Sequence, residues 1–260
     1  MLNISILMPC YNCAQTIERA VMSVISQQGW HELIMLNDGS SDNTLEIMHT
    51  LSKLDNKIKL IDLGTNYGAA TARNIGAIHA SGNILGFLDA DDEHKNNIYS
   101  LAQEFLLALP QLAAVRFGTQ FKDFPPELLT EDYKHQRLTL FNTFIPNLFI
   151  HKIVFNTLGG FPVDPIFKKY GGEDGVLSYL LQQFFLVGTN YENEMLIHHW
   201  HNQVHAENFL RRDLNDVSCN NTEIVRASQL QITKKSKELS YLLNHLSIQT
   251  QKGFIPVYKK

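Results

Sequence analysis

The feature that most constrains the fold is a regular alternation of short apolar runs with amphipathic segments in the first part of the chain. Each apolar run has the length of a strand, and apolar residues recur every three or four positions in the segments between them. Successive strand and helix units imply right-handed crossovers and a mostly parallel sheet, so we expect an α/β protein whose central sheet is flanked by helices. Strands are predicted at residues 3–8, 31–36, 58–63 and 84–88, and helices at residues 16–28, 43–54, 69–80 and 96–109.

The fourth predicted strand ends on three acids, Asp89, Asp91 and Asp92. The carboxyl ends of parallel strands share one edge of a sheet, and ligands bind at that edge. Carboxylates this close repel one another unless a counterion screens them, and their oxygen atoms suit Mg²⁺ or Mn²⁺. We therefore predict a metal site. The alternative is a loop of solvated acids that caps a helix ahead of His94.

Polar side chains also follow the other predicted strands. Tyr11 and Asn12 follow the first strand, Asp38 the second and Asn66 the third. Pro9 is expected to close the first strand, because proline cannot donate to the ladder of a central strand. Loops that bring aromatic, amide and carboxylate groups to one edge predict a single composite pocket. The sequence has neither a P-loop nor the glycine-rich dinucleotide turn, which argues against those two nucleotide-binding classes.

A second group of acids, Glu173 and Asp174, is predicted at the start of a helix spanning residues 176–185. The helix dipole alone would stabilise acids at this position. The glycines on both sides add backbone freedom that lets an acid reach into a cleft, which favours a functional role. Upstream, residues 113–121 are predicted to form a strand. Residues 124–140 are predicted to form a long loop, since they carry a proline pair and no hydrophobic period.

Histidines cluster after another predicted strand, at His198, His199, His201 and His205. Neutral imidazole is a metal ligand. Alternation along an extended segment would place His199 and His201 on one face. We expect one histidine of this group to bind the predicted metal ion.

Composition limits the remaining classes of function. The chain has 260 residues and a net charge of -4, which fits one large α/β domain and argues against a nucleic-acid binder. Its cysteines are odd in number, which favours a reducing compartment, and Cys10 and Cys13 lack the second pair that a zinc site needs. No apolar run has the length of a membrane span, so a cytoplasmic protein is expected.

The end of the chain is basic. From residue 229 onward it carries six lysines against one glutamate. A basic amphipathic helix, predicted at residues 223–248, suggests peripheral contact between this tail and an anionic membrane surface. An ordinary solvated helix face is the alternative.

Five motifs resemble, in order and spacing, those of inverting family-two glycosyltransferases with the GT-A fold. They are Pro-Cys-Tyr-Asn at residues 9–12, Asn-Asp-Gly-Ser-Ser-Asp at 37–42, Asn66-x-Gly68 with Arg73-Asn74, Asp-Ala-Asp-Asp at 89–92, and Gly-Gly-Phe at 159–161 followed by Glu173-Asp174. The resemblance covers about residues 4–204. It implies a Rossmann-like GT-A fold, a nucleotide-sugar donor that is usually UDP-linked, a saccharide or lipid-linked acceptor, and Mn²⁺ or Mg²⁺ as cofactor.

The resemblance also implies roles for individual residues. Asp91 would be the metal-binding carboxylate, and His201 would complete the coordination, although His199 competes for that place. Asp174, beside Glu173, would be the general base. Asp92 is open between the acceptor side and a helix cap. The substrate-binding residues would be Pro9, Tyr11, Asn12, Asp38, Asn66, Gly68, Arg73, Asp89 and Asp92.

The chain departs from the family pattern in two places, and two other functions compete. Asn37-Asp38 replaces an acid pair, and the helix after Asp174 lacks the Trp and Arg that are frequent there. A sugar-nucleotide nucleotidyltransferase is disfavoured because the first loop is not a glycine-rich basic loop. A non-catalytic sugar-nucleotide-binding or scaffold module is disfavoured because Asp91 and Asp174 are both present.

The expected domain organisation follows from these motifs. Residues 1–205 would form the catalytic domain, with a nucleotide-binding half at 1–110 and an acceptor-binding half at 111–205. Residues 206–260 would form a helical extension.

Overall fold

The computed structural model describes residues 2–201, 205–211, 222–245 and 251–258. Two short 3-10 turns, Pro126–Leu129 and Glu131–Tyr133, supplement the regular elements. The strands are β1 Ile4–Cys10, β2 Trp30–Asn37, β3 Ile58–Asp62, β4 Ile84–Phe87, β5 Glu93–His94, β6 Ala114–Lys122, β7 Leu148–His151, β8 Leu186–His199 and β9 Gly253–Pro256. The helices are α1 Ile17–Ile25, α2 Thr44–Leu51, α3 Ala69–His79, α4 Ile98–Ala108, α5 Lys134–Thr143, α6 Lys152–Leu158, α7 Pro165–Tyr170, α8 Glu173–Phe184, α9 His205–Arg211 and α10 Thr222–His245.

The described strands form one sheet in the order β3-β2-β1-β4-β7-β6-β8-β5, and β9 pairs with β8. Strands β1 to β4 are mutually parallel, as four successive strand and helix units require. Strand β7 runs antiparallel to both of its neighbours, β4 and β6. The predicted α/β architecture with a mostly parallel sheet is confirmed.

Both faces of the sheet are covered, so the strands are apolar on both sides. Ile6 and Met8 of β1 pack in the layer that α1 and α4 cover, whereas Leu7 packs in the layer that α3 and α8 cover. This alternation follows from the two-residue period of a strand. Three layers result, and the loops at the carboxyl ends of β1, β2 and β4 are left at one edge.

The first strand is longer than predicted, because it continues through Pro9 to Cys10. Strand β4 pairs only with Ile4 to Leu7 of β1, whereas Pro9 lies opposite Leu36 of β2. Pro9 therefore sits where β1 has a single neighbour. A missing N–H is tolerated at such an edge.

The prediction of a long loop over residues 124–140 is wrong. This stretch contains the two 3-10 turns and the start of α5. Leu128 and Leu140 are buried together with Ala206 and Leu210 of α9. The helix is stabilised by a contact with a distant segment, and its own sequence lacks the periodicity that would have revealed it.

The tail helix is confirmed over its described length. Leu239 of α10 is buried, and Ile232 and Leu243 pack against the same apolar cluster as α8. Residues 246–248 of the predicted helix lie outside the described residues, and the predicted boundary at 205/206 stays a prediction. Among the helices that the structure describes, none combines the length and the apolar character needed to cross a bilayer.

Glu32 of β2 ties the sheet together at the end opposite the candidate site. Its buried carboxylate accepts hydrogen bonds from the Ser5 hydroxyl (2.6 Å) and from the backbone N–H and hydroxyl of Ser81 (2.6 and 2.8 Å), and Lys59 Nζ lies 2.5 Å away. Burial alone would raise the pKa of Glu32, but Lys59 and these hydrogen bonds outweigh it and lower the pKa to about 2.

We expect Glu32→Gln to lower the free energy of unfolding by about 3 kcal/mol at pH 7, the equivalent of that pKa shift. The folded pKa lies below the unfolded value, so the stabilisation is present above about pH 4.5 and is lost as the pH falls toward 2. Urea unfolding at pH 7 and pH 3 measures it, with the exposed Glu18→Gln as control. An equal cost at both pH values would contradict the prediction.

Candidate active site

Asp38 joins two of the loops at the carboxyl-end edge of the sheet. Its buried carboxylate accepts hydrogen bonds from the backbone N–H groups of Tyr67 (2.7 Å) and Gly68 (2.8 Å). Gly68 precedes α3 with a φ of 93°, a conformation that favours glycine. Asp38 therefore holds the loop after β3 in place. Its predicted contact with a substrate stays a prediction.

The turn after β1 is fixed in a similar way. Asn12, with a φ of 49°, accepts a hydrogen bond on its Oδ1 from the backbone N–H of Ser41 (2.8 Å), and its own N–H donates to the Ser40 hydroxyl (3.1 Å). Tyr11 on this turn and Tyr67 on the next loop expose about half of their side chains. The structure thus adds Tyr67 to the aromatic surface at this edge.

Arg73 is the central charge of the site. It lies on α3, is almost fully buried, and its guanidinium is 2.5 Å from Asp89 Oδ1 and 3.5 Å from Asp174 Oδ1. It also stacks over the Phe161 ring, 5.6 Å from the ring centre. Burial lowers the pKa of Arg73, but Asp89 and Asp174 outweigh that effect and raise it above its ordinary value. The structure therefore brings together two acids that the sequence placed in different halves of the chain.

Asp174 occupies the first turn of α8, and 30% of its side chain is exposed. Its Oδ1 is buried and has no hydrogen-bond partner. Burial is the main cause that raises the pKa of Asp174 to about 8. Glu173 and Asp89 add to the rise, and Arg73 opposes it. A carboxyl group whose pKa lies near neutrality is suited to accept and release a proton.

Asp91 and His201, the two predicted metal ligands, lie together. His201 Nε2 is 3.0 Å from Asp91 Oδ2, and the side chains are 50% and 35% exposed. No group of three or more metal-ligating side chains occurs in the described part of the chain. One carboxylate and one imidazole fit a cation that takes its other ligands from water and substrate phosphates. Residues 203–204, the Gln-Val after His201 in the resemblance, lie outside the described residues.

Asp92 corrects the sequence prediction, because its carboxylate is fully buried and has no surface for a substrate. Both of its oxygens lie 2.8 Å from His198 Nδ1, and Oδ1 accepts a hydrogen bond from the backbone N–H of His199 (3.1 Å). Burial raises the pKa of Asp92 to about 6, although His198 opposes the rise. Asp92 is neither a substrate ligand nor a helix cap here. It joins residues 89–92, which we call the acid loop, to the end of β8.

His199 does not share the position of His201. Its Nε2 is 2.6 Å from Glu93 Oε1, and the side chain is buried at the end of β8. Strand β8 ends at His199, so the alternation that would have placed His199 and His201 on one face does not extend to His201. Of the two histidines, only His201 pairs with Asp91.

Sequence reasoning missed two arginines, one that contacts the acids and one that contacts α8. Arg19 of α1 donates a hydrogen bond to the backbone carbonyl of Asp91, and its Nε is 3.5 Å from Glu93. Arg116 of β6 is buried and donates to Ser178 of α8 (2.8 Å). No motif marks either arginine, because the partners are distant in sequence.

Comparisons with known proteins find relatives of this chain. The sequence model of a family described as Glycosyl transferase family 2 matches residues 5–162. An uncharacterized glycosyltransferase of Haemophilus influenzae is 38% identical over 105 residues, which cover 40% of this chain and 42% of that protein. The Escherichia coli UDP-Glc:alpha-D-GlcNAc-diphosphoundecaprenol beta-1,3-glucosyltransferase WfgD is 43% identical over 91 residues, which cover 34% of this chain and 35% of that protein. These matches span well under two thirds of the relatives' own length.

A solved structure shows the same fold. S. aureus TarS 1-349 in complex with UDP aligns with a TM-score of 0.62 at 18% identity, over 76% of this chain and 61% of that chain. A complex of the same protein with UDP-GlcNAc aligns with a TM-score of 0.61 and also 18% identity, over 80% of this chain and 61% of that chain. At this level of identity the likeness concerns the fold alone.

Proposed function

The chain belongs to glycosyl transferase family 2 and has the GT-A fold, and from this premise we propose that it is a metal-dependent, inverting glycosyltransferase. The observation that carries the proposal is Arg73, which bridges Asp89 on the acid loop and Asp174 on α8. It places a candidate base beside the loop that carries the candidate metal ligand Asp91. We propose a UDP-linked donor, which is supported by the UDP and UDP-GlcNAc complexes of TarS and by the UDP-Glc in the name of the E. coli relative.

The proposed reaction is a single displacement at the anomeric carbon. Asp174 removes the proton of the acceptor hydroxyl as its oxygen attacks, and one in-line attack inverts the configuration. Arg73 supplies positive charge to Asp174 and holds Asp89 at the donor side. Asp91 and His201 would hold Mn²⁺ or Mg²⁺, which supplies positive charge for the departing diphosphate. The turn with Tyr11 and the loop held by Asp38 would bind the base and ribose, as the resemblance implies.

A screen of nucleotide-sugar hydrolysis, with and without Mn²⁺, tests this function. Turnover of at least one UDP-sugar that depends on the metal supports it. Binding of a nucleotide sugar without turnover of any donor would contradict it and would favour the non-catalytic module. A cytoplasmic location stays a prediction.

We also propose that the acceptor is a saccharide or a lipid-linked saccharide, and that α10 contacts the membrane that carries a lipid-linked one. One face of α10 is exposed and combines basic with apolar side chains. A helix face of this kind binds anionic lipid surfaces. We call it the basic face of α10, and it consists of Arg226, Leu230, Lys234, Lys237 and Tyr241. The predicted contribution of Lys259 and Lys260 lies outside the described residues.

Replacement of Arg226, Lys234 and Lys237 by glutamine is expected to weaken binding to vesicles with 30% phosphatidylglycerol by about a hundredfold, since each basic residue near such a surface contributes about 1 kcal/mol. Co-sedimentation measures the change, and Lys53→Gln with Lys122→Gln, both exposed elsewhere, is the control. Equal sedimentation of the two variants would remove the membrane contact from the proposal.

A further inference from the structure

Arg116 is a buried cation without a carboxylate partner. It lies on β6 with 1% of its surface exposed, and none of the ion pairs among the described residues includes it. Its guanidinium donates hydrogen bonds to the Phe144 carbonyl (2.5 Å), Asn147 Oδ1 (2.9 Å) and the Ser178 hydroxyl (2.8 Å). These acceptors belong to the segment after α5, the start of β7 and α8. Arg116 thus connects three parts of the fold that meet below the candidate site.

Forming these hydrogen bonds with a guanidinium requires the burial of a charge that has no carboxylate partner. Burial of a charge without a partner is strongly unfavourable, and neutral donors also satisfy carbonyl and hydroxyl acceptors. Burial lowers the pKa of Arg116 to about 10, so that the side chain is still charged at neutral pH. The structure therefore retains a positive charge where packing alone does not require one.

The charge is bonded to the helix that carries the candidate base. Ser178, the partner of Arg116 on α8, is one helical turn after Asp174, so both side chains lie on the same face of the helix. Asp174 Oδ1 and Arg116 Nε are both buried without a hydrogen-bond partner. Tyr191 of β8 and, after it, Asp174 raise the pKa of Arg116 and so oppose the effect of burial on the guanidinium.

Charged groups from several elements surround Asp174. Glu173 on α8 and Asp89 after β4 disfavour a negative charge on Asp174, whereas Arg73 on α3 and Arg116 on β6 favour that charge. Four other charged or titratable side chains on the elements around α8 have partners of their own. Lys168 of α7 donates to the Asn66 carbonyl, Lys152 of α6 to the Ala80 carbonyl and Tyr191 of β8 to Asn142 of α5, and Lys235 of α10 pairs with Glu238.

We propose that Arg116 is a positioning residue for Asp174: its hydrogen bond to Ser178 fixes the first turns of α8, and its buried charge stabilises the Asp174 carboxylate. The catalytic consequence rests on the proposed role of Asp174 as general base. The electrostatic coupling itself does not.

Titration of the Asp174 carboxyl carbon by NMR in the protein without substrate tests the coupling directly, with Asp174→Asn used to assign the signal. In Arg116→Met the pKa of Asp174 is expected to rise by about one unit, because one of its two cations is lost. In Arg116→Lys, which keeps the charge, it is expected to stay within a few tenths of a unit. Ser178→Ala removes the hydrogen bond alone and leaves the pKa nearly unchanged.

Donor turnover separates the two parts of the proposal. In Arg116→Met the acid limb of the kcat/KM profile is expected to shift to higher pH, together with the pKa of Asp174. In Ser178→Ala kcat is expected to fall several-fold while the acid limb stays at the same pH. An unchanged Asp174 pKa in Arg116→Met overturns the inference. If Arg116→Met fails to fold, Arg116→Gln carries the same test. Full activity of Asp174→Asn would contradict the base assignment instead, whatever the titration shows.

Discussion

Asp174→Asn is expected to lower the rate of sugar transfer about a thousandfold while the affinity for the nucleotide remains within a few-fold of the unmodified protein. General base catalysis contributes about 10² to 10⁴ in rate, and the amide cannot accept the proton. Steady-state transfer and calorimetric binding of UDP measure the two effects. The matched control is Glu173→Gln on the same helical turn, which we expect to cost about tenfold or less. A larger loss in Glu173→Gln would move the base to Glu173.

The raised pKa of Asp174 also predicts how the activity and the stability of the unmodified protein depend on pH. Because the pKa of Asp174 is raised to about 8, the carboxylate form grows as the pH rises, and kcat/KM is expected to increase about tenfold per unit up to that pH. The folded pKa exceeds the ordinary value of 3.8, so ionisation of Asp174 disfavours the folded state and costs stability as the pH rises from about 4 to 8. Asp174→Asn removes this cost, and its Tm at pH 9 is expected to equal or exceed that of the unmodified protein.

Asp91→Asn is expected to abolish the metal dependence of donor binding and to lower kcat/KM by about a thousandfold, since the site offers only one other protein ligand among the described residues. UDP affinity, measured by calorimetry with Mn²⁺ and with a chelator, should differ in the unmodified protein and coincide in the variant. His201→Asn should retain part of the difference, because the carboxylate remains.

The control for Asp91→Asn is Glu93→Gln. This substitution alters a neighbouring acid that pairs with His199 rather than with His201. It should leave the effect of Mn²⁺ on UDP affinity unchanged. UDP binding that is the same with Mn²⁺ and with a chelator in the unmodified protein would contradict the metal site itself.

Local patterns were sufficient to place the acids at the edge of the sheet. The apolar runs that become β1 to β4 alternate with periodic helices, and an alternation of this kind admits essentially one hand and one parallel arrangement. Once the strands are parallel, Asp38 and Asp89 must lie near the same edge. Patterns failed for α5, because its stability comes from contacts with α9 rather than from its own period.

The roles of individual charges required the tertiary structure. Asp89, Asp91 and Asp92 look alike in sequence, yet Asp89 pairs with Arg73, Asp91 lies beside the half-exposed His201, and Asp92 is buried against His198. His198 is 106 residues from Asp92 along the chain, and no spacing rule connects positions that far apart. Each of these acids has a partner on another segment of the chain, and only the fold brings the two segments together.

The sequence by itself determined the order of strands and helices, the parallel sheet and the edge where the functional groups collect, because hydrophobic period and turn chemistry are local properties. Only the tertiary structure decided which acids are buried, which ones face Arg73 and which ones have a raised pKa. The physical reason is that the pKa of a carboxyl group depends on its desolvation and on every charge nearby, and both are set by segments from the whole chain.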